Sequence, residues 1–214
     1  MGESVDLPAG DILAEAGKSI RYVHFPTGGV VALMSPANRG SSLAVGLVGN
    51  EGMVGFSLVL GIDRSPLHAV VQEPGPALRL EVASFCQELA RSPVLRALLD
   101  RYLLMLVEQL AQAVTCTRFH VVMERLARWL LMTGDRARSD AFHLTHEHLA
   151  ALLGVRRVGV TRAATVLQQL KLISYRRGDV VILDRTGLEG AACRCYAADK
   201  AGYQRMIPTR ARSR

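Results

Sequence analysis

A chain of 214 residues with 50% apolar and 21% charged residues carries enough apolar side chains for two modest cores, which excludes a wholly disordered protein. The net charge of +7 is lopsided: residues 1–118 hold 9 Lys and Arg against 11 Asp and Glu, whereas residues 119–214 hold 17 against 8. A basic excess confined to one half implies that this half meets a polyanion, and the excess survives removal of the three arginines in the terminal TRARSR. The start, MGESVDLPAGD, places Glu3, Asp6 and Asp11 where a secretory signal would be basic and then apolar. No uncharged run reaches the roughly 20 apolar residues of a membrane span. The expected location is the cytoplasm, with Cys86, Cys116, Cys193 and Cys195 as reduced thiols rather than a disulfide framework.

In chain order, the N-terminal half reads as β structure. The short apolar runs IRYVHF, GVVALM, SLAVGLV, HAVVQ and ALRLEV are separated by the turn signals FPTGG, SPANRGSS and QEPGP, a rhythm that fits an antiparallel sandwich or barrel. Within it VGNEGMVG, residues 48–55, sets glycines around the single carboxylate of Glu51. Such a loop either holds a small ligand or anion or simply turns between two strands, and glycine spacing alone favours the turn.

After Ser92-Pro93 the pattern becomes helical, with no Gly or Pro until about Arg118. Leu99, Leu103, Leu106, Leu110 and Ala113 recur at steps of four and three, a heptad seam suited to pairing with a second copy of the chain. Leu95, Leu98, Tyr102 and Val107 add apolar positions on another face, which can cover the sheet. A further helix, HVVMERLARWLL, sets Val122, Leu126, Trp129 and Leu130 on one stripe and is expected to end near Gly134-Asp135, before a short strand FHL.

The stretch THEHLAALLGVRRVGVTRAATVLQQLKLIS, residues 145–174, reads as two short helices joined at Gly154. Thr145 can cap the first, and Leu149, Leu152 and Leu153 line its inner side. In the second, Val160, Ala163, Leu167 and Leu170 face inward, leaving Arg156, Arg157, Thr161, Arg162, Thr165 and Gln169 outside. This is a helix-turn-helix with a basic outer face, where Arg157 and Arg162 can reach guanine edges or phosphates. Gly159 is costly inside a helix, by about 1 kcal/mol relative to alanine, so it marks either a close approach to DNA or a tolerated defect. LISYRRGDVVILD reads as a hairpin wing, with Arg176 and Arg177 either as phosphate contacts or as a solvated hairpin tip.

Enzymatic signals are absent. His146, Glu147 and His148 diverge on one helix without the spacing of a zinc protease, Glu51 has no identified partner, and no Ser-His-Asp constellation can be assembled. Cys193-X-Cys195 is too sparse for a zinc site without a second ligand pair, so no metal is expected there; the reading is free thiols, with redox sensing as the alternative.

These residues carry a resemblance. A β-rich half with a GNEGMVG loop, a long helix, LARWLL, the helix-turn-helix above and an RRGDVVILDR wing together resemble the Crp/Fnr superfamily of bacterial transcription regulators, up to about Cys195. The resemblance implies an α+β fold: an N-terminal β-roll (a cyclic-nucleotide-binding-like jelly roll), a long dimerisation helix at about 93–118, and a C-terminal winged helix-turn-helix over 119–214. In the recognition helix of the cyclic-AMP-responsive members Arg157 and Arg162 match the two arginines, while Arg156 replaces a serine and Val158 a glutamate, which implies a different operator. In the nucleotide pocket, near Gly52 and Gly55, Phe56 stands where a glutamate belongs and Leu67-His68-Ala69 where Arg-Ser-Ala belongs. Without those anchors cyclic AMP is not expected to bind in the usual way, unless Arg64, three residues away, substitutes. An iron–sulfur cluster of the oxygen-sensing kind is excluded because no cysteine precedes Cys86, and haem would have to use His24, His68 or Cys86. The expectation is therefore a homodimeric DNA-binding regulator that is not an enzyme and has no cofactor. Its expected partners are double-stranded DNA, RNA polymerase and an unidentified small-molecule effector, with no membrane.

Overall fold

The computed structural model describes residues 2–37 and 42–206, so residues 38–41 of the SPANRGSS turn, and TRARSR wholly, fall outside the described residues. The N-terminal half contains β1 (Glu3–Leu7), β2 (Ile12–Ala14), β3 (Tyr22–Pro26), β4 (Val30–Pro36), β5 (Ser42–Val48), a 3-10 turn (Phe56–Leu60), β6 (His68–Glu73) and β7 (Gly75–Glu81). Two antiparallel sheets form, in the orders β1-β7-β3 and β2-β6-β4-β5. The five apolar runs of the sequence are β3 to β7; the short N-terminal strands β1 and β2 carry no comparable run. Between the sheets lie Leu7, Val31, Leu33, Val48, Ala69, Val71 and Ala77.

The helical half begins with α1 (Val82–Arg91) and α2 (Pro93–Phe119). Ser92 caps α2 by accepting from the Leu95 amide at 3.2 Å, and Pro93 occupies the first turn. There follow α3 (Val122–Ala137), β8 (Ala141–His143), α4 (His146–Leu153), α5 (Arg157–Gln169), β9 (Ile173–Arg176), β10 (Asp179–Ile182), α6 (Arg185–Ala191) and α7 (Cys195–Met206). A third sheet, β8-β10-β9, completes the winged domain. Helix α3 runs past the expected stop at Gly134, which stays helical because it packs tightly: a Cβ there would sit 3.1 Å from the Ser139 carbonyl and 3.4 Å from Ile182. The left-handed Arg138 (φ 53°) ends the helix instead.

Strand β4 is buried on both faces. Val31 and Leu33 point into the roll, while Val30, Ala32 and Met34 join a larger core with Leu126, Leu130, Leu149, Leu153, Val160 and Leu167 of the helical half. Helix α3 is accordingly buried from Arg125 to Gly134 rather than along the one stripe that the sequence suggests. Polar bonds cross the same junction. Trp129 Nε1 donates to Gln72 Oε1 at 3.2 Å, and Gln72 Nε2 donates to Thr133 Oγ1 at 2.8 Å. The GNEGMVG loop contributes its carboxylate: Arg136 of α3 donates to Glu51 at 2.7 Å, with side chains 12% and 2% exposed. Glu51 thus faces a cation of its own chain, and the loop is a turn that clasps α3. Gly49 allows this, since a Cβ there would lie 2.8 Å from Arg136 Cγ.

Removing one partner of a buried ion pair strands the other, which costs about 3 to 5 kcal/mol. Glu51→Ala and Arg136→Ala are each expected to lower stability by that amount in urea denaturation, and the double variant to lose much less than the sum. Additive losses would show that the loop and α3 are not coupled through this pair.

Candidate DNA interface and sensor pocket

The helix-turn-helix is built by short-range rules. Thr145 Oγ1 accepts from the His148 amide at 3.2 Å to start α4, and Gly154, at φ 62°, ends it in the left-handed region. Leu149, Leu152 and Leu153 of α4 meet Val160, Ala163, Ala164 and Leu167 of α5, so the remaining faces of α5 are open. Arg156 precedes the first turn and Arg157 opens it; with Val158, Thr161 and Arg162 they lie exposed on one end of the helix. Leu170 departs from expectation. It follows the last helical residue and is 57% exposed, because α5 ends at Gln169 and the inward spacing no longer applies. The Thr161 hydroxyl is committed locally, donating to the Arg157 carbonyl at 3.1 Å and lying 3.1 Å from His146 Nδ1. A Cβ on Gly159 would meet nothing within 4 Å, so packing within the chain does not require the glycine.

The wing turns through Arg177 (φ 52°) and Gly178 (φ 97°), both left-handed, which is the geometry of a tight two-residue hairpin. Gly178 is needed twice over, since a Cβ would lie 2.6 Å from the His143 ring. His146, which the sequence pattern does not single out structurally, locks the wing to α4: its ring stacks on Tyr175 at 4.4 Å, and Tyr175 donates to the Leu144 carbonyl. Burial, and then Arg157, push His146 below its usual range. Arg156, Arg157, Arg162, Arg176 and Arg177 are all exposed, and among the described residues none is ion-paired. Five unneutralised guanidinium groups thus stand on one helix and the adjacent hairpin, concentrating positive charge on that side of the winged domain.

The sensor-pocket positions lie in the roll. Gly55, left-handed at φ 94°, leads into the 3-10 turn, and Phe56 and Leu67 both pack against the core between the sheets. Two positions that would carry polar anchors thus supply apolar filling. Arg64 Nη1 donates to the Gly17 carbonyl at 2.8 Å. His68 Nδ1 accepts from the Ala16 amide at 3.3 Å. Gly52 yields to the long helix, since a Cβ would lie 2.3 Å from the Tyr102 ring, whose hydroxyl donates to the Met53 carbonyl at 3.1 Å. Of the haem candidates, His24 is buried on β3 and Cys86 is exposed on α1.

The expected dimer seam requires a correction. Leu99, Leu106 and Ala113 are buried within the chain, Leu99 and Leu106 against the roll, and Leu103 and Leu110 are half-buried against the same cores. Gln109 on this face accepts from the Leu47 amide at 3.1 Å, and Gly46 leaves room for its side chain. The face of α2 left open carries Leu104, Val107, Ala111 and Val114 instead, shifted by one residue.

Among the described residues, one set of three or more His, Cys, Asp or Glu side chains converges as metal ligands do: Cys116, His120, Cys193 and Cys195. The fold supplies the second ligand pair that Cys193-X-Cys195 lacks locally. The Cys116 and Cys193 sulfurs lie 3.5 Å apart, and their shared hydrogen bond draws the first thiol down and pushes the second up.

Two layers of β structure, a long connecting helix and a winged helix-turn-helix make up the architecture. Residues 124–191 match the family described as Crp-like helix-turn-helix domain. FixK2 from Bradyrhizobium japonicum has the same fold, with a TM-score of 0.73 and 14% identity over 90% of this chain and 98% of its own. A CRP/FNR-family transcriptional regulator from Thermus thermophilus aligns with a TM-score of 0.67 and 22% identity over 89% of this chain and 98% of its own. The c-di-GMP-responsive global regulator CLP of Xanthomonas campestris aligns with a TM-score of 0.67 and 16% identity over 85% and 93%. The comparison with curated proteins gave no match. Residues 124–191 are a Crp-like helix-turn-helix domain, and the chain shares its fold with these solved regulators. No helix among the described residues is long and apolar enough to cross a membrane.

Burial, aided by Arg79, pushes His24 from 6.5 down to about 4, so the folded chain keeps it neutral while the unfolded chain takes up a proton below 6.5. The unfolded state then binds more protons, and His24 contributes stability that is full above 6.5 and is lost as pH falls towards 4. Glu73, pushed up to about 7 by burial, acts oppositely as pH rises from 4.5, so wild type must be compared with a variant. In urea denaturation the stability difference between wild type and His24→Gln should shrink as pH falls from 6.5 to 4. A constant difference would mean that His24 is not held neutral.

Proposed function

We propose that this chain is a sequence-specific DNA-binding transcription regulator that acts as a homodimer. The observation that carries the reading is the set of five exposed, unpaired arginines at the start of α5 and on the wing of a Crp-like helix-turn-helix domain. Helix α5 enters the major groove by its N-terminal end, so Arg157 and Arg162 read base edges while Arg156, Arg176 and Arg177 hold phosphates. Val158, 55% exposed at the same end, offers an apolar contact such as a thymine methyl would take. Thr145 and Thr161 serve mainly to fix α4 and α5 at that surface.

Two copies pair through the open face of α2, with Leu104, Val107, Ala111 and Val114 meeting their counterparts. This stripe keeps the alternating three-and-four spacing of a coiled-coil seam and is not used by the chain's own core. A twofold dimer implies a pseudo-palindromic site with half-sites about 34 to 36 Å apart. RNA polymerase is the further partner such a regulator requires. The apolar filling by Phe56 and Leu67, and the commitment of Arg64 to Gly17, support a response that does not depend on cyclic AMP held by the usual anchors; any effector of this roll is of another chemistry.

Arg157→Ala should weaken binding to the selected site by about 1 to 3 kcal/mol, whereas Arg177→Ala should weaken specific and random duplexes alike and reduce the salt slope by about 1. Titration of both variants against a site recovered from genomic fragments checks this. Equal losses on specific and random DNA for Arg157→Ala would remove its base-reading role and favour a non-specific, architectural binder. For the dimer, Val107→Glu should give a folded monomer in sedimentation analysis, because its side chain is 59% exposed in the isolated chain. A variant that stays dimeric would place the interface elsewhere.

A further inference from the structure

Four ligating side chains from two distant parts of the chain meet at the joint between the long helix and the DNA-binding domain. Cys116 lies near the end of α2, and His120 follows four residues later at its C-cap, on the same side of the helix. Cys193 lies just after α6, and Cys195 opens α7. Cys116 Sγ is 3.5 Å from Cys193 Sγ, Cys195 Sγ is 3.4 Å from His120 Nδ1, and all four ligand atoms fall within 4.8 Å of one another. The three cysteines are 2%, 6% and 1% exposed, and His120 is half-buried.

We propose that Cys116, His120, Cys193 and Cys195 form a tetrahedral Cys3His site for a zinc-type divalent cation. A zinc ion with Zn–S bonds of about 2.3 Å places its tetrahedral ligand atoms about 3.8 Å apart, a value that the 3.4 and 3.5 Å pairs and the 4.8 Å outer limit of this set bracket. A multi-iron cluster holds its cysteines further apart, across its own metal and sulfide core, and does not fit this space. Three thiolates and one imidazole match the preference of zinc for soft sulfur and nitrogen donors, and four protein ligands leave no open position, as in a structural site.

Charge supplies an independent reason. Arg125 is buried, 8% exposed, and donates to the Leu153 carbonyl, yet no carboxylate pairs with it among the described residues. It lines the same small cleft as Cys116 and Arg128. Arg128 has Asp199 at 2.7 Å, which neutralises one of the two cations and leaves Arg125 uncompensated. A buried cation without a counter-charge is costly. A divalent ion bound by three thiolates carries a net charge of −1 and would supply that counter-charge. Binding releases the thiol protons to solvent, so the affinity falls as pH is lowered. The bound ion would tie the start of α7 to the hinge between α2 and α3, fixing the DNA-binding domain against the long helix.

The test uses the full chain, purified under reducing conditions without added metal. Elemental analysis is expected to find one zinc per chain. After removal of the metal by a chelator, Co(II) is expected to bind one per chain with the visible ligand-field bands of a tetrahedral thiolate complex, and Zn(II) to displace it. Cys193→Ser and His120→Ala, each checked for folding by circular dichroism, should weaken zinc by more than about tenfold. Cys86→Ser, on an exposed cysteine remote from the cluster, should leave both metals bound as in wild type. Co(II) without tetrahedral bands, or bands unchanged in both ligand variants, would overturn the proposal. So would a Cys116–Cys193 disulfide whose reduction restores no metal uptake. Because wild type alone gives the Co(II) spectrum, a variant that fails to fold does not prevent a decision.

Discussion

The two-sided burial of β4 and β5 governs the arrangement of this molecule. A strand at the face of a roll usually offers one side to water; here Val30, Ala32, Met34, Ala44 and Leu47 are apolar on the outer side as well, and only α3 and the helix-turn-helix can cover them. The sensor-like half and the DNA-binding half consequently share one core. The Glu51–Arg136 pair and the Gln72 bridge to Trp129 and Thr133 close the rim of that contact with partners that are costly to separate.

Helix α2 is the second organising element, and its sides are allocated to different neighbours. One side carries Leu99, Tyr102, Leu106 and Gln109 into the roll; another meets α7; the third, with Leu104, Val107 and Val114, is open. An apolar repeat can be read for such a helix, but several interleaved stripes satisfy it. Packing selects among them. The buried Gln109 is informative here, because a polar side chain on the inner face is tolerated only where a backbone amide, that of Leu47, is waiting for an acceptor.

The helix-turn-helix with its wing is the most legible part of the chain. Helix caps, the glycine between α4 and α5, and the outward spacing of the arginines are local features, set within a few residues by hydrogen bonding and helical periodicity. Errors arose at the ends, where Leu170 left the helix and Gly134 did not end one, because end positions answer to neighbours distant in sequence. Glu51 illustrates the same limit. Its glycine-flanked setting suggested a loop, correctly, but its partner lies 85 residues away and cannot be inferred from spacing.

The sequence by itself determined the β-then-α order, the basic bias of the second half and the helix-turn-helix with its wing, since each depends on composition or on short-range pattern. Only the tertiary structure decided which stripe of α2 is spent on the roll, what Glu51 is for, and that Cys116 and His120 stand beside Cys193 and Cys195. These depend on long-range burial. The chain closes loops of more than seventy residues to bring such groups together, and no local periodicity records which distant side chain will be found on the other side.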